Sequence, residues 1–510
     1  MTAQTTAQTT ALSAKMTALD KVWAAIALLT PLWLAFLTPL QRLDVWWHIK
    51  VGEAIVQTGQ IPTVDIYSFT ANGTPYGYAN VWLADVIFYG LYRSGGPALL
   101  IGMTGLLLCA ACGLSWHLAF QRSASARLAT VASLAGAVLI IRFGAARPQI
   151  FSIILFALFF WLLGQARARG QGRWLWPLPL LMALWANLHG AFPLGLLLIV
   201  FFLGEGLLRY GFKQPLPAER RLLLALAACL LASVAAAGVN PAGYAVFSTV
   251  QGIMGAPAVQ QLALEWQAQD IKLGADLPFF ALCALTFLAL IYTPSRPWIG
   301  DVLLLGGFCA LGLSARRHGV WLALIAPPLV AGYLAQWPWP ARPTRVTKRT
   351  DAPVTHGQGA PRLLIGVLLL LTLLLSPWVR PRLPNQRLGY GLLDARTPVA
   401  AVEYMAEQGV QGRVFHPQWF GDYLLWRLSP AVQVFLDGRV HLYDWQTWRN
   451  HSAILNAWDW ERLLADYQIS WVLLDTADPT QTELRAALRA SPRWRLRYAD
   501  DVALLFGRAP

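Results

Sequence analysis

For most of its length the chain alternates long apolar runs with short polar breaks, and then its character changes. Apolar stretches fall at 22–40, 97–120, 128–141, 149–164, 174–189, 191–208, 222–239, 277–293, 301–314, 319–336 and 361–379. A helix needs ~20 apolar residues to cross a bilayer, and these runs predict about eleven transmembrane helices. The stretch 81–92 is apolar but too short to span, so it reads as an interfacial or re-entrant helix. Beyond residue 384 the pattern is that of a soluble fold. Thr397-Pro398 starts a helix that Gly409 ends, and helical patterns follow at 458–467 and 482–489. Short β-like runs lie at 413–415, 432–436, 470–474 and 502–506.

Composition agrees with a membrane origin for this pattern. Of the 510 residues 56% are hydrophobic and 13% charged, where soluble proteins carry about a quarter charged. That excludes a disordered chain, a coiled coil and an ordinary cytosolic enzyme. The expected fold is mainly α: a polytopic transmembrane helical bundle with a small C-terminal α/β domain. We divide it into a cytoplasmic N-terminal tail at 1–21, a membrane domain at 22–384 and an extracytoplasmic α/β domain at 385–510. The membrane domain includes a first outer loop at 41–96 and a Pro- and Arg-rich cytoplasmic linker at 337–362. Residues 1–20 have no signal-peptide cleavage pattern, and the first apolar run is long enough to stay as an anchor.

The net charge of +14 sits largely in alternate short loops, where Arg and Lys set topology. That set is Lys15 and Lys21; Arg122 and Arg127; Arg167, Arg169 and Arg173; Arg209, Lys213, Arg220 and Arg221; Arg296; and Arg342, Arg345, Lys348 and Arg349. It places the N-terminus in the cytoplasm and, with an odd number of spans, the C-terminal domain outside an inner (plasma) membrane. No basic groove or stacking motif accompanies the charge, so the partner is the lipid bilayer and not nucleic acid. All five cysteines lie inside apolar runs, which leaves no disulfide framework and no paired zinc-ligand spacing.

In this topology the unusual polar residues share the outer side. The first outer loop carries Asp44, Trp46, Trp47, His48, Glu53, Asp65, Trp82 and Asp85; later outer segments add Arg142, Arg147, Asn187, His189, Asn240, Glu265, Trp266 and Arg316-Arg317-His318. Polar groups near membrane depth are costly, and their gathering on one side predicts a cavity lined by carboxylates, cations and aromatic rings. Singly, each has a plainer role. Asp44 suits a helix cap, His48 a hydrogen-bonded structural partner of a neighbour, and the tryptophans an interfacial belt. Trp419, Tyr423 and Trp426 fit the apolar face of a helix packed on a sheet, and Asp437-Gly438-Arg439 fits a turn after a strand.

Several segments together resemble the GT-C glycosyltransferases. They are D-x-W-W-H-x-x-x-G-E from Asp44, running on to I-P-x-x-D-x-x-S-F-T at Thr70; W-A-N-L-H-G at 185–190; N-P-A-G-Y at 240–244; E-W at 265–266; R-R-H at 316–318; W-F-G-D-Y-L-L-W at 419–426; and F-L-D-G-R at 435–439. Trp419-Phe420-Gly421-Asp422-Tyr423 also resembles, in altered order, the Trp-Trp-Asp-Tyr-Gly signature of oligosaccharyltransferases. The resemblance implies a GT-C type bundle and transfer of a sugar from a polyprenyl-phosphate donor to a glycan, lipid or protein acceptor at the outer face. It implies a first-loop acid as base or metal ligand, which here is Asp44. Asp44 is followed by Val45, so no acidic pair stands there; the nearest further carboxylates are Glu53 and Asp65. No metal ligand set is assigned, and a divalent Mg or Mn cofactor is left open.

On this reading Asp44, His48 and Asp65 are the candidate catalytic residues. Arg147, His189, Arg316, Arg317 and His318 are the candidates for the donor phosphate, because a guanidinium fork matches phosphate oxygens. Trp47, Trp82, Glu265, Trp266, Trp419, Asp422 and Asp437 are the candidates for acceptor or sugar. The absence of a nucleotide-binding glycine loop fits a lipid-linked donor. Two other classes stand beside the transferase: a non-catalytic member of the fold acting as a subunit among other membrane proteins, and a transporter of a lipid-linked glycan. Paired broken helices in an inverted repeat would mark the latter, and none is seen.

Overall fold

The computed structural model describes residues 16–212, 219–338, 359–383 and 391–509. Lys15, Lys213, the cations at 342, 345, 348 and 349, most of the 337–362 linker and the composition change at 384 lie outside the described residues. Each expected span falls on a helix. In chain order the first helices are α1 (Ala18–Leu37), α2 (Val45–Thr58), α3 (Trp82–Ser123), α4 (Ala126–Arg142), α5 (Gln149–Arg169), α6 (Pro177–Leu188) and α7 (Pro193–Gly211). Then come α8 (Glu219–Ala237), α9 (Ala245–Gly255), α10 (Pro257–Leu262), α11 (Leu277–Ile291), α12 (Ile299–Ser314), α13 (Gly319–Leu334) and α14 (Gly359–Leu375). Among the described residues, six helices (α1, α3, α5, α7, α8 and α11) are long and apolar enough to cross a membrane, and α12 and α14 are shorter apolar helices. The chain is a multi-pass membrane protein.

Position in the bundle follows from which faces are apolar. α13 is apolar all round and buried from Gly319 to Ala331, as a central helix must be. α14 is just as apolar but has no buried residue, which suits a helix whose solvent is lipid. The stretch 81–92 lies on a short helix of its own, residues 82–95, which a break at Gly96 (φ 59, ψ −154) before Pro97 separates from the longer second part of α3. Glycine tolerates this positive φ, and proline restarts the helix where an N–H would go unused.

Arginines of the basic loops pair with buried acids. Arg167 and Arg209 both pair with buried Glu205 on α7, at 2.9 and 2.8 Å, and Trp298 donates its indole N–H to the same carboxylate at 2.6 Å. Arg122 pairs with Asp301 on α12 at 3.1 Å. Intramembrane acids need such partners, so these arginines tie α3, α5, α7 and α12 together.

The tail domain contains β1 (Gly412–Phe415), β2 (Val432–Val434), β3 (Trp471–Asp475), β4 (Trp494–Ala499) and β5 (Ala503–Arg508), in spatial order β2-β1-β3-β5-β4. β2, β1 and β3 are parallel, and β5 runs antiparallel to β3 and β4. Around them pack α15 (Val399–Glu407), α16 (Gln418–Leu428), α17 (Trp445–Leu455), α18 (Trp460–Asp466) and α19 (Thr482–Ala490). β4 and α17 are additions to the sequence expectation. β4 alternates Trp494, Leu496 and Tyr498 with Arg495 and Arg497, and charged side chains on an edge strand discourage pairing with other chains.

Tail and membrane domains interlock through the first loop. Leu40 bridges Leu393, and Ser68 bridges Val434 beside β2. Trp46 is fully buried with the rings of Tyr423 and Trp426 each 4.9 Å away. On its other side, α2 lies so close to α3 that a Cβ at Gly52 would strike the carbonyl of Asp85. Gly52→Leu is therefore expected to lower the thermal stability of the purified protein by ~1–3 kcal/mol or more through overpacking, whereas Gly59→Ala, where the surroundings are open, is expected to cost only the backbone strain of its left-handed φ.

Candidate active site

The site is built where the loop before α2 meets the loops between later spans. Leu43, Asp44 and Val45 form a γ-turn: the Val45 N–H donates to the Leu43 carbonyl at 3.0 Å, with Asp44 at φ 70 and ψ −60. A residue with a Cβ holds such a conformation at a cost of ~1–3 kcal/mol, and only where its surroundings enforce it. The Asp44 side chain makes no capping bond to α2. Its carboxylate instead faces Arg147, whose Nε lies 2.7 Å away.

From Arg147 a ladder of alternating charge continues. The two terminal nitrogens of Arg147 reach both oxygens of Glu265 at 3.1 and 3.3 Å. Glu265 in turn accepts from Arg317 at 3.2 Å. The Arg317 guanidinium lies over the Trp266 ring at 4.4 Å and reaches Gln149 at 3.4 Å. Burial alone would raise the pKa of Glu265, but Arg147 and Arg317 together more than offset it and hold it at about 2. Burial, opposed by Arg147, keeps Asp44 above the usual carboxylate range. Arg147, between two carboxylates, is held above its ordinary value despite burial, whereas Arg317 is pushed below it by burial that Glu265 does not fully offset. Arg317 shares its one carboxylate, Glu265, with Arg147 and otherwise meets only the Gln149 amide oxygen and the Trp266 face.

His189 stands beside these arginines. Trp185 donates to Ser152 Oγ at 2.7 Å, and Ser152 faces His189 Nδ1 at 2.7 Å, with the Ala191 N–H also aimed at that nitrogen. Nδ1 is therefore the acceptor and Nε2 carries the proton. Burial, then Arg317 and Arg147, lower the His189 pKa to about 3, so the ring is a neutral donor at ordinary pH.

The neighbouring arginines 316 and 317 divide their work. Arg316 is buried, pairs with Asp276 at 2.8 Å, and donates to the Leu264 carbonyl at 2.9 Å and to Gln267 at 3.1 Å. It straps down the segment that presents Glu265 and has no reach into the ladder. His318 contacts Ser314 and the edge of Trp266.

Other sequence candidates are drawn into the frame of the site. His48 is buried against Asp85 at 2.5 Å. Asp65 and Asp437 are fully buried and both bind Arg439, at 2.6 and 2.5 Å, with Tyr78 joining at 2.6 Å. Trp47 is buried beside His48. Trp419 donates to Asp475 at 3.0 Å. Asp422 is fully buried and accepts from the Asp44 and Gly438 N–H groups. None of the three buried carboxylates, Asp65, Asp422 and Asp437, has surface to offer a sugar. Trp82 donates to Asn187 at 2.7 Å and, with Asn240 and Pro241, lines an open groove of about 430 Å³. Among the described residues no three His, Cys, Asp or Glu side chains gather so as to hold a metal ion. Asp44 itself is engaged by a guanidinium, so the residues present do not fit a divalent cation as they stand. Gln149 and Ser152 were overlooked in the sequence, although a polar side chain at the start of a strongly apolar run is a usable signal.

No protein-family model matches the sequence, and no curated protein matches it. Among solved structures, the arabinofuranosyltransferase AftD from Mycobacteria matches over 98% of this chain with a TM-score of 0.52 and 14% identity. The fold is of GT-C type. The chain spans 40% of the length of AftD. ArnT from Cupriavidus metallidurans matches over 94% of this chain and 96% of its own, with a TM-score of 0.47 and 14% identity. A second ArnT structure, bound to undecaprenyl phosphate, matches over 95% and 97%, with a TM-score of 0.40 and 13% identity.

The two arginines should separate cleanly on substitution. Arg316→Ala is expected to destabilise the protein by about 2 kcal/mol, because it removes charge-assisted hydrogen bonds to Asp276 and to the Leu264 carbonyl and leaves the buried Asp276 carboxylate to Arg142 and the Asp270 N–H. Arg317→Ala, losing partly exposed contacts, is expected to shift the unfolding midpoint far less. Thermal unfolding of both variants in one detergent checks this.

Proposed function

We propose that this protein is a glycosyltransferase that moves a sugar from a polyprenyl-phosphate donor to a hydroxyl acceptor at the outer face of the plasma membrane. The likeness of fold to the arabinofuranosyltransferase AftD supports this class. The observation that carries the reading is the Asp44 carboxylate, held in a strained turn beside a cation ladder that ends on Arg317. The outer placement rests on the Arg and Lys bias of the loops on the opposite side.

The geometry suits one displacement. The acceptor hydroxyl attacks the anomeric carbon and gives its proton to Asp44. The bond from that carbon to the phosphate oxygen breaks, and the lipid phosphate leaves with the electron pair. Arg317 meets the growing phosphate charge, and His189, a neutral ring within the field of Arg317 and Arg147, is a candidate further donor. Fixed donors in a site shielded from water stabilise such charge strongly. Asp44 works as a base only when ionised, and an elevated pKa makes it a better proton acceptor. No step is routed through a metal.

Asp44→Asn is expected to lower transfer by at least ~100-fold, the scale of a lost general base, while a short-chain polyprenyl phosphate still binds. Arg317→Ala is expected to weaken that binding. Because the base must be deprotonated, transfer should be present above the Asp44 pKa and be lost as pH falls through it, with the acidic limb above the ordinary carboxylate value of 3.8. Full transfer by Asp44→Asn would remove Asp44 as the base, and no transfer by the wild-type protein, with partner proteins recovered alongside it, would favour the non-catalytic subunit instead.

A further inference from the structure

The tail domain touches Asp44 at its backbone, where no substrate would. The Asp422 carboxylate on α16 accepts the N–H of Asp44 at one oxygen and the N–H of Gly438 at the other, the latter at 2.7 Å. Asp422 is fully buried, so this is its whole environment and not one state of a mobile surface group. A Cβ at Gly438 would stand 2.8 Å from both an Asp44 oxygen and an Asp422 oxygen. The turn therefore admits only glycine at the place where the two carboxylates pass each other.

The same segment is held on both sides. Upstream, Leu40 exchanges backbone hydrogen bonds with Leu392 and Asp394 at 2.8 and 2.9 Å. Downstream, Trp46 is wedged between Tyr423 and Trp426, and its indole closes on the Gln41 carbonyl at 3.0 Å. The 437–439 turn is itself fixed to the first loop, because Arg439 joins Asp437 to Asp65 and Tyr78. A strained γ-turn persists only where its neighbours over-determine it. Here those neighbours belong to the tail.

We propose that Asp422 and Gly438 are positioning residues: the tail domain clamps the Leu43–Val45 turn, so that the Asp44 carboxylate faces Arg147, and the membrane domain's site is incomplete without it. This rests on the reading of Asp44 as the base. Asp422→Asn keeps the size of the side chain but replaces one acceptor oxygen with a donor, so both N–H groups can no longer be satisfied. Gly438→Ala leaves every hydrogen-bonding group in place and pushes the carboxylates apart.

The test uses the full chain in lipid nanodiscs, with amide hydrogen exchange read by mass spectrometry and binding of a short-chain polyprenyl phosphate measured beside it. In both variants exchange at 43–45 should rise about tenfold, the factor for one lost hydrogen bond. Exchange in β3 and binding of the polyprenyl phosphate should stay at wild-type values. Where transfer is measurable, kcat should fall with KM unchanged. Unchanged exchange at 43–45 in both variants overturns the clamp, and so does a rise that spreads through the whole tail in both. If the wild-type protein neither binds the polyprenyl phosphate nor transfers sugar, the functional reading fails while the exchange result still decides the clamp.

Discussion

One guanidinium organises the site. Arg147 presents its Nε to Asp44 and its two terminal nitrogens to Glu265. Two carboxylates at the edge of a low-dielectric bundle would repel each other and protonate; with Arg147 between them, Glu265 is held strongly acidic, while burial keeps Asp44 above the usual carboxylate range. The rest of the region can be understood as what this arrangement requires. Arg316 fixes the segment that supplies Glu265, Ser152 holds the His189 ring at Nδ1, and the first loop is gripped so that Asp44 arrives in a conformation it would not choose.

The membrane sets how these groups are held. Away from water, a charged side chain is tolerated only when its hydrogen-bonding capacity is filled. The same rule operates at the far end of the bundle, where Glu205 and Asp301 are satisfied by Arg167, Arg209 and Arg122. The two ends differ in completeness. At the far end Glu205 is saturated by two arginines and an indole. In the ladder Arg317 has one carboxylate, which it shares with Arg147, an amide oxygen and an aromatic face.

Much of this was legible in the sequence because hydrophobic length reports spans directly. The eleven apolar runs became helices, and Asp44, Arg147, Glu265 and Arg317, which the sequence carries on separate loops, are brought together. What stayed hidden depended on side-chain direction. Arg316 and Arg317 are adjacent and chemically alike, and only the short helical turn at 316–318 sends one into the frame and the other into the ladder. Asp422 and Asp437 looked like ligands because they sit in motif-like segments, yet folding buries both. Glu205 and Asp301 were hidden among apolar residues, although acids within a span are a signal in themselves. β4 was legible as well, because Trp494, Leu496 and Tyr498 alternate with Arg495 and Arg497 as in a strand with one solvated face.

The most direct measurement is a cryo-EM map of the full chain in lipid nanodiscs with a short-chain polyprenyl phosphate added. Phosphate density within hydrogen-bond reach of Arg317, with an open path to the Asp44 carboxylate, is the predicted result. A ladder region closed to lipid, or phosphate density elsewhere in the bundle, would contradict it.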